Sequence, residues 1–478
     1  MRAACINRWR RVFETAAWIV VTAVAMRVAA APPLFTELRT EATATIDLEE
    51  GWRNPPRSAR TRAWWWWLNG NVDKEAITRD LEQMQAKGLG GANIIDAGGA
   101  EQRGNDQVPH GPDFGSPAWR KLFVHALREA ERLDLELGFN ITSGWNLGGP
   151  LIPPRYAAKK LTFAELEIEG GKRVQRQLPS PPRVADYYRD VKTFALRLPS
   201  EEGRRLARID DWKAKAYYDY PGGFIATDAS RLLQFKALAD DERATSSADV
   251  VDLEDVVNDT GELDWEPPEG RWLIVRLGFT LSGARVSTHS EGWEGWAVDY
   301  LDRHAFDFYW DQVVTPILDD ARPYLGRSLR YLHTDSWELG PVNWTPKMAS
   351  EFARLRGYSM ADYFPALAGY VVGSPAETNR FLNDFRRTLS DLIIRNKYEA
   401  FADAAHSRGL GVHPESAGPH AVPIDAIQCL GVNDIPMGEF WARSRTHRVH
   451  DHERFFIKQP SSAAHVHGRR IVLAEAFT

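Results

Sequence analysis

Two cysteines in 478 residues are too few to staple a fold. Cys5 stands in a leader-like start of the chain, which leaves Cys429 without an internal disulfide partner, so the fold must hold by ordinary packing. The start also lacks a long apolar run. Its apolar stretch, residues 16–26, is eleven residues, against the roughly 20 that a membrane-spanning helix needs. There is no basic excess either: 59 Lys and Arg face 65 Asp and Glu, for a net charge of -6, and no lysine or arginine run stands out. That balance gives no field for nucleic-acid phosphates and excludes nucleic acid as a partner. The glycines at 98, 99, 148 and 149 are not followed by the helix start that a phosphate cradle requires, and read as turns.

What is present begins with Arg2, Arg8, Arg10 and Arg11, then the apolar stretch, then small residues at Val28, Ala29, Ala30 and Ala31. This order describes a secretory signal over residues 1–31 and predicts export to a bacterial periplasm, cell surface or medium, with no membrane span once the signal is removed. With 44% apolar and 26% charged residues, the remainder can bury a large core as one enlarged domain or two. Eighteen tryptophans suit a carbohydrate ligand, whose C–H faces pack on indole rings, although filling a core is the commoner use of any single one.

A βα rhythm runs through the chain. Residues 63–68 read as a strand leading into Asn69, Gly70 and Asn71, followed by a helix capped by Asp73 with Ile77, Leu81 and Met84 on one face. A strand over 91–95 ends at Asp96. A helix over 119–133 and a strand over 135–141 follow. Between 161 and 287 the period changes: 161–168, 193–198 and 272–279 alternate as strands between turn-rich segments. A helix over 302–318, strands over 329–334, 411–414, 434–438 and 471–474, and a long helix over 380–408 complete the pattern. Seven strands predict an α/β chain with a (β/α)8 TIM-type barrel that stops after strand seven. The expected segments are a signal at 1–31, the first part of the barrel at 32–157, a β-rich insertion after strand three at 158–288, and the second part of the barrel at 289–478.

In such a barrel the strand ends converge on one mouth, and Glu338, Glu415, Glu439 and Glu475 all fall at strand ends. Glycosidic hydrolysis needs one carboxyl to protonate the leaving oxygen and a second to activate water or attack the sugar. Glu338 stands three residues past Asp335 and beside Trp337, an indole able to dry the site and raise its pKa. Glu439 precedes Phe440 and Trp441, which suits a sugar platform. Glu415, between His413 and His420, fits a polar or metal-linked role as well as a catalytic one. Asn69 and Asn71 lie past the first strand, placed for sugar hydroxyls, and alternation turns two of tryptophans 64–67 toward the barrel interior. Two other classes remain: a zinc amidohydrolase-like barrel, prompted by His413, His465 and His467, and a non-catalytic carbohydrate-binding protein.

Segments 64–72, 335–345, 356–358, 385–391, 436–441 and 474–478 together resemble the family 106 glycoside hydrolases, the α-L-rhamnosidases. The likeness runs from about residue 63 to the end, weakly through the β-rich segment. It implies an inverting, calcium-dependent enzyme with a (β/α)8 catalytic domain, removing terminal α-L-rhamnose from plant polysaccharides or glycosides, and further C-terminal β domains. Carried over by motif, Glu338 is the general acid and Glu475 the base, while Asp335 and Glu439 bind sugar or calcium. Ala297 and Tyr300 stand beside Asp299 where the family pattern has glutamate and lysine, which leaves Asp299 as a further sugar contact.

Overall fold

The computed structural model describes residues 47–98, 108–220, 230–337, 339–418, 422–440 and 457–476. The expected signal, Gly99, Glu338, His420 and Trp441 lie outside the described residues. The chain divides into two compact units, residues 1–60 and 61–478. In the first, Asp47 caps α1 (Leu48–Arg53) by accepting from the backbone N–H groups of Glu49 and Glu50, and no residue of that helix is buried.

The second unit opens with β1 (Arg62–Leu68), whose alternation buries Trp65 and Trp67 on one side. Asp73 accepts from the Ala76 N–H at 2.7 Å to start α2 (Lys74–Ala86), which buries Ile77 and Leu81. Next come the wholly buried β2 (Gly91–Ala97), α3 (Pro117–Arg132) with its Ser116 cap, and the wholly buried β3 (Glu136–Ser143). Burial on both faces is what a parallel sheet under helices requires.

Four strands of another kind follow: β4 (Lys159–Glu169), β5 (Arg189–Arg197), β6 (Val250–Asp252) and β7 (Arg271–Leu281). They form one antiparallel sheet in the order β6-β5-β7-β4. Period-two alternation sends Phe194, Leu196, Leu273 and Val275 into the main core and Ala195, Trp272 and Ile274 into a smaller one on the opposite face. The sheet is therefore packed onto the rest of the unit through its own strand faces.

The βα pattern then resumes. α4 (residues 303–320) contains a π turn at Trp310–Val314, and Tyr309 donates to the Ile141 carbonyl at 2.7 Å. β8 (Leu329–His333) precedes α5 (residues 375–406), which carries a second π turn at Ile394–Glu399. α5 starts five residues before the 380 expected from its apolar face, because Ser374 accepts from the Glu377 N–H and Pro375 fits the first helical position. β9 (Gly411–Val412), α6 (Ala426–Gly431), β10 (Met437–Phe440), α7 (Lys458–Val466) and β11 (Leu473–Ala476) complete the chain.

The fold is α/β with a parallel sheet, β1-β2-β3-β8-β9, and a second parallel ladder of β10 and β11. The Asp434 and Ile435 N–H groups donate to the Val412 carbonyl, and Leu473 N–H to the Pro436 carbonyl, so the approach to β10 leans on β9 and on β11. Strand ends differ from the sequence reading by a few residues. Glu439 and Glu475 sit inside their strands rather than just past them, and so does Asp96.

Candidate active site

Register decides which side chains share a face. Trp64 pairs with Asn93, Asn93 with Gly138 and Asn140 with His333, and paired residues of a parallel ladder point the same way. Trp65, Trp67, Ile94 and Phe139 belong to the other face, where Trp65 donates to Asp80 of α2. The inner face thus carries Trp64, Trp66, Asn93, Asn140 and His333. The Trp64 ring meets His333 edge-on at 5.0 Å, and Trp66, 41% exposed, meets Trp145 at 5.5 Å.

This face is polar inside and short of partners. Among the described residues, five buried side-chain polar atoms of Asn93, Asn140, His333 and Thr334 have no hydrogen bond. An unsatisfied buried donor or acceptor costs about 1–3 kcal/mol, so such a concentration is suited to a polar ligand rather than to stability.

The carboxyls gather here. Glu439 and Glu475 are register partners on β10 and β11. Glu415, past β9, is fully buried, and its pKa is pushed well up by that burial, then by the carboxyls of Glu475, Asp335 and Glu439. A proton on Glu415 or Glu475 would bridge the two. Asp335, past β8, is driven up to about 7 by burial, although it accepts from the Ser336 N–H at 2.8 Å. His333 Nδ1 donates to the His413 carbonyl at 3.0 Å, and burial lowers its pKa to about 3. The imidazole is therefore neutral, and its 3.9 Å approach to Asp335 is a contact rather than an ion pair.

The other residues singled out from sequence separate into two groups. Asn71 is exposed past β1. Asn69, by contrast, is buried at φ 53°, donates to the Val108 carbonyl at 3.0 Å and accepts from Glu291 N–H at 2.8 Å, so its amide fastens two loops. Asp299 also has protein partners: it is buried against Lys159 at 3.2 Å and Thr345 at 3.1 Å, and β4 supplies the lysine that its own segment lacks. Trp337 is fully buried and donates to the Gly340 carbonyl, which makes it a wall and not a stacking platform. His465 lies on α7 and His467 caps its end; both are exposed, so the extended alternation behind the zinc reading does not exist. Sequence reasoning missed Asn93, Lys397 and the dominance of Glu415. An asparagine inside a predicted buried strand was the available signal for the first.

Beneath the loops, Asp96 is fully buried and accepts from Ser290 Oγ at 2.7 Å and Trp119 Nε1 at 2.9 Å. Burial raises its pKa to about 6, with Ser143, Ser290 and Trp119 opposing. A raised carboxyl contributes stability that is full below its unfolded value near 4 and is lost as pH rises through about 6. Asp96→Asn is expected to remove a pH-dependent contribution on the order of 2–3 kcal/mol, flattening the melting temperature between pH 4 and pH 7. An unchanged slope in a calorimetric pH series would show that Asp96 does not titrate there.

The sequence profile of glycoside hydrolase family 106, described as alpha-L-rhamnosidase, matches residues 53–205 and 200–478. The chain belongs to this family. A solved rhamnosidase from Novosphingobium sp. PP1Y superposes on the family 106 chain with a TM-score of 0.76 at 26% identity, covering 90% of this chain and 53% of that one. A curated protein of Formosa agariphila, named "Putative beta-glucuronidase", is 37% identical over 436 residues, 90% of this chain and 35% of that protein. The chain thus spans about half of the length of the first relative and about a third of the second.

Several family 106 motif segments prove to be architectural. Arg356 pairs with Asp391 and donates to Thr388 at 3.1 Å, which joins segments 356–358 and 385–391. Asn343 accepts from Leu161 N–H at 2.8 Å and donates to the Ala216 carbonyl at 2.9 Å, which anchors segment 335–345 to β4. For the expected calcium, no group of three or more His, Cys, Asp or Glu among the described residues is arranged to hold an ion. Asp335 and Glu439 would supply only part of the shell of several hard oxygens that calcium takes, the rest falling to other oxygens such as substrate hydroxyls.

Proposed function

We propose that the chain hydrolyses terminal α-L-rhamnosides of plant polysaccharides or glycosides with inversion, using Glu338 as general acid and Glu475 as base. The observation that carries this reading is the cluster of Glu415, Glu475, Asp335 and Glu439 on a face otherwise lined by tryptophan and asparagine. Glu338 gives its proton to the leaving oxygen while Glu475 takes one from the attacking water, and inversion requires the two carboxyls to stand roughly 6.5–9.5 Å apart. Asp335 and Glu439 orient sugar hydroxyls. Calcium, where bound, would add hard-oxygen coordination to the hydroxyls that these carboxylates meet. Residues 158–288 form an insertion that walls the cleft, and the protein acts outside the cytoplasm.

A direct test assays the full chain on 4-nitrophenyl α-L-rhamnoside and 4-nitrophenyl β-D-glucuronide, each with calcium and with chelator. Rhamnoside turnover, reduced by chelator, is the expected result; glucuronide turnover alone would replace the sugar assignment, and chelator-independent turnover would remove calcium. Within the cleft, Trp66 offers the exposed ring on which a sugar face stacks, beside Trp145. Trp66→Ala should raise KM about tenfold with little change in kcat, as loss of uniform binding does, and Trp66→Phe should recover most of it. An unaltered KM would take Trp66 off the substrate path.

A further inference from the structure

Lys397 is a buried cation for which the mechanism above has no use. It stands in the π turn Ile394–Glu399 of α5, a local departure from the α-helix of a kind frequent at functional sites. The side chain is 1% exposed. Its ammonium lies 4.5 Å from the centre of the Tyr300 ring and 4.1 Å from that of Tyr398. Each ring reaches a different loop of the site. Tyr300 packs edge-on against Trp337 at 5.7 Å, two residues past Asp335. Tyr398 donates its hydroxyl to the Ser416 carbonyl at 2.6 Å, one residue past Glu415, where the backbone is held at φ 60°.

The charge is expensive at this depth. Burial brings the Lys397 pKa down to about 7, and Cys429 and then Asp335 oppose that fall. The titratable groups that act on it or on the rings around it are Asp335 and neutral His333 from β8 and its loop, Cys429 from α6, Tyr300, Tyr398, and Glu415 through Tyr398. Replacing such a buried charge with a well-packed apolar side chain is commonly neutral or stabilising, so a charge at this position needs a reason other than stability.

We propose that Lys397 is a positioning residue of the active site: from the π turn its ammonium, set against the rings of Tyr300 and Tyr398, holds the Asp335 and Glu415 loops in fixed relation. Only the kinetic arm of its test rests on the glycosidase reading. In that arm, Lys397→Met, close to lysine in length and volume, lowers kcat at least about tenfold with KM within about threefold, and Lys397→Arg recovers part of the loss. A side chain that merely fills space would leave kcat of the Met variant unchanged, and that result would overturn the proposal. The second arm needs no substrate. Melting temperatures of Lys397→Met, Tyr300→Leu and the double variant form a cycle whose double shift departs from the sum of the singles by about 3 °C or more. An additive cycle would overturn the link of Lys397 to the Asp335 loop through Tyr300. If the wild-type chain turns over neither aryl glycoside, the function above falls and the cycle alone decides for or against Lys397.

Discussion

Glu475→Gln should cut kcat on every rhamnoside by about a thousandfold or more, whereas Glu338→Gln should spare substrates with good leaving groups. The asymmetry follows from the roles. A base that activates water is needed whatever leaves, so its loss falls equally on 4-nitrophenyl and alkyl rhamnosides. An acid that protonates the leaving oxygen is dispensable when that oxygen leaves as a stabilised phenolate, so Glu338→Gln should cost about tenfold with 4-nitrophenyl rhamnoside and about a thousandfold with methyl rhamnoside. Added azide, a nucleophile that needs no deprotonation, should restore turnover of the Glu475 variant and give the product of inverted configuration. Proton NMR of the wild-type reaction should show β-L-rhamnose first. Initial release of the α anomer would demand a retaining pair about 5 Å apart, and equal losses for both leaving groups in the Glu338 variant would remove it as the acid.

Much of the scaffold was legible in the sequence because period and capping act locally. Asp73, Ser116 and Ser374 each accept a backbone N–H where a helix starts, and Phe194, Ala195 and Leu196 alternate between two cores as a strand must. Legibility of the site was uneven for a physical reason. The sequence marks a carboxyl at a strand end but carries no sign of what surrounds it. Glu415 ranked low because two histidines flanked it in sequence, yet its depth and its three acidic neighbours come from strands distant along the chain. For Asp299 and Asn69 the sequence likewise carries no sign of their protein partners, which come from β4 and from the loop at Glu291. Lys397 was invisible because a lysine on a long helix reads as solvated, and only the π turn and two distant tyrosine rings show that it is not.

Glu415→Gln and Glu415→Leu should part sharply. Burial and the neighbouring carboxyls favour the neutral form of Glu415, which presents a donor toward Glu475, and a hydrogen bond to the ionised form favours a base that must stay ionised. Glutamine retains a donor of nearly the same shape and should keep kcat within about tenfold of wild type. Leucine removes the donor and should lower kcat about a hundredfold, with no loss of stability to account for it. The sign of the pH dependence follows from the raised pKa: the stability tied to neutral Glu415 is present at low pH and lost as pH rises through its folded value. Wild-type melting temperature and activity should therefore decline together on the alkaline side, and the glutamine variant, with nothing to ionise, should lack that decline. A different pattern would identify a different group. If glutamine proved as damaging as leucine and chelator reproduced the same loss in the wild type, Glu415 would be an ionised cation ligand, and the metal-linked role weighed for it from sequence would displace the proton-bearing one.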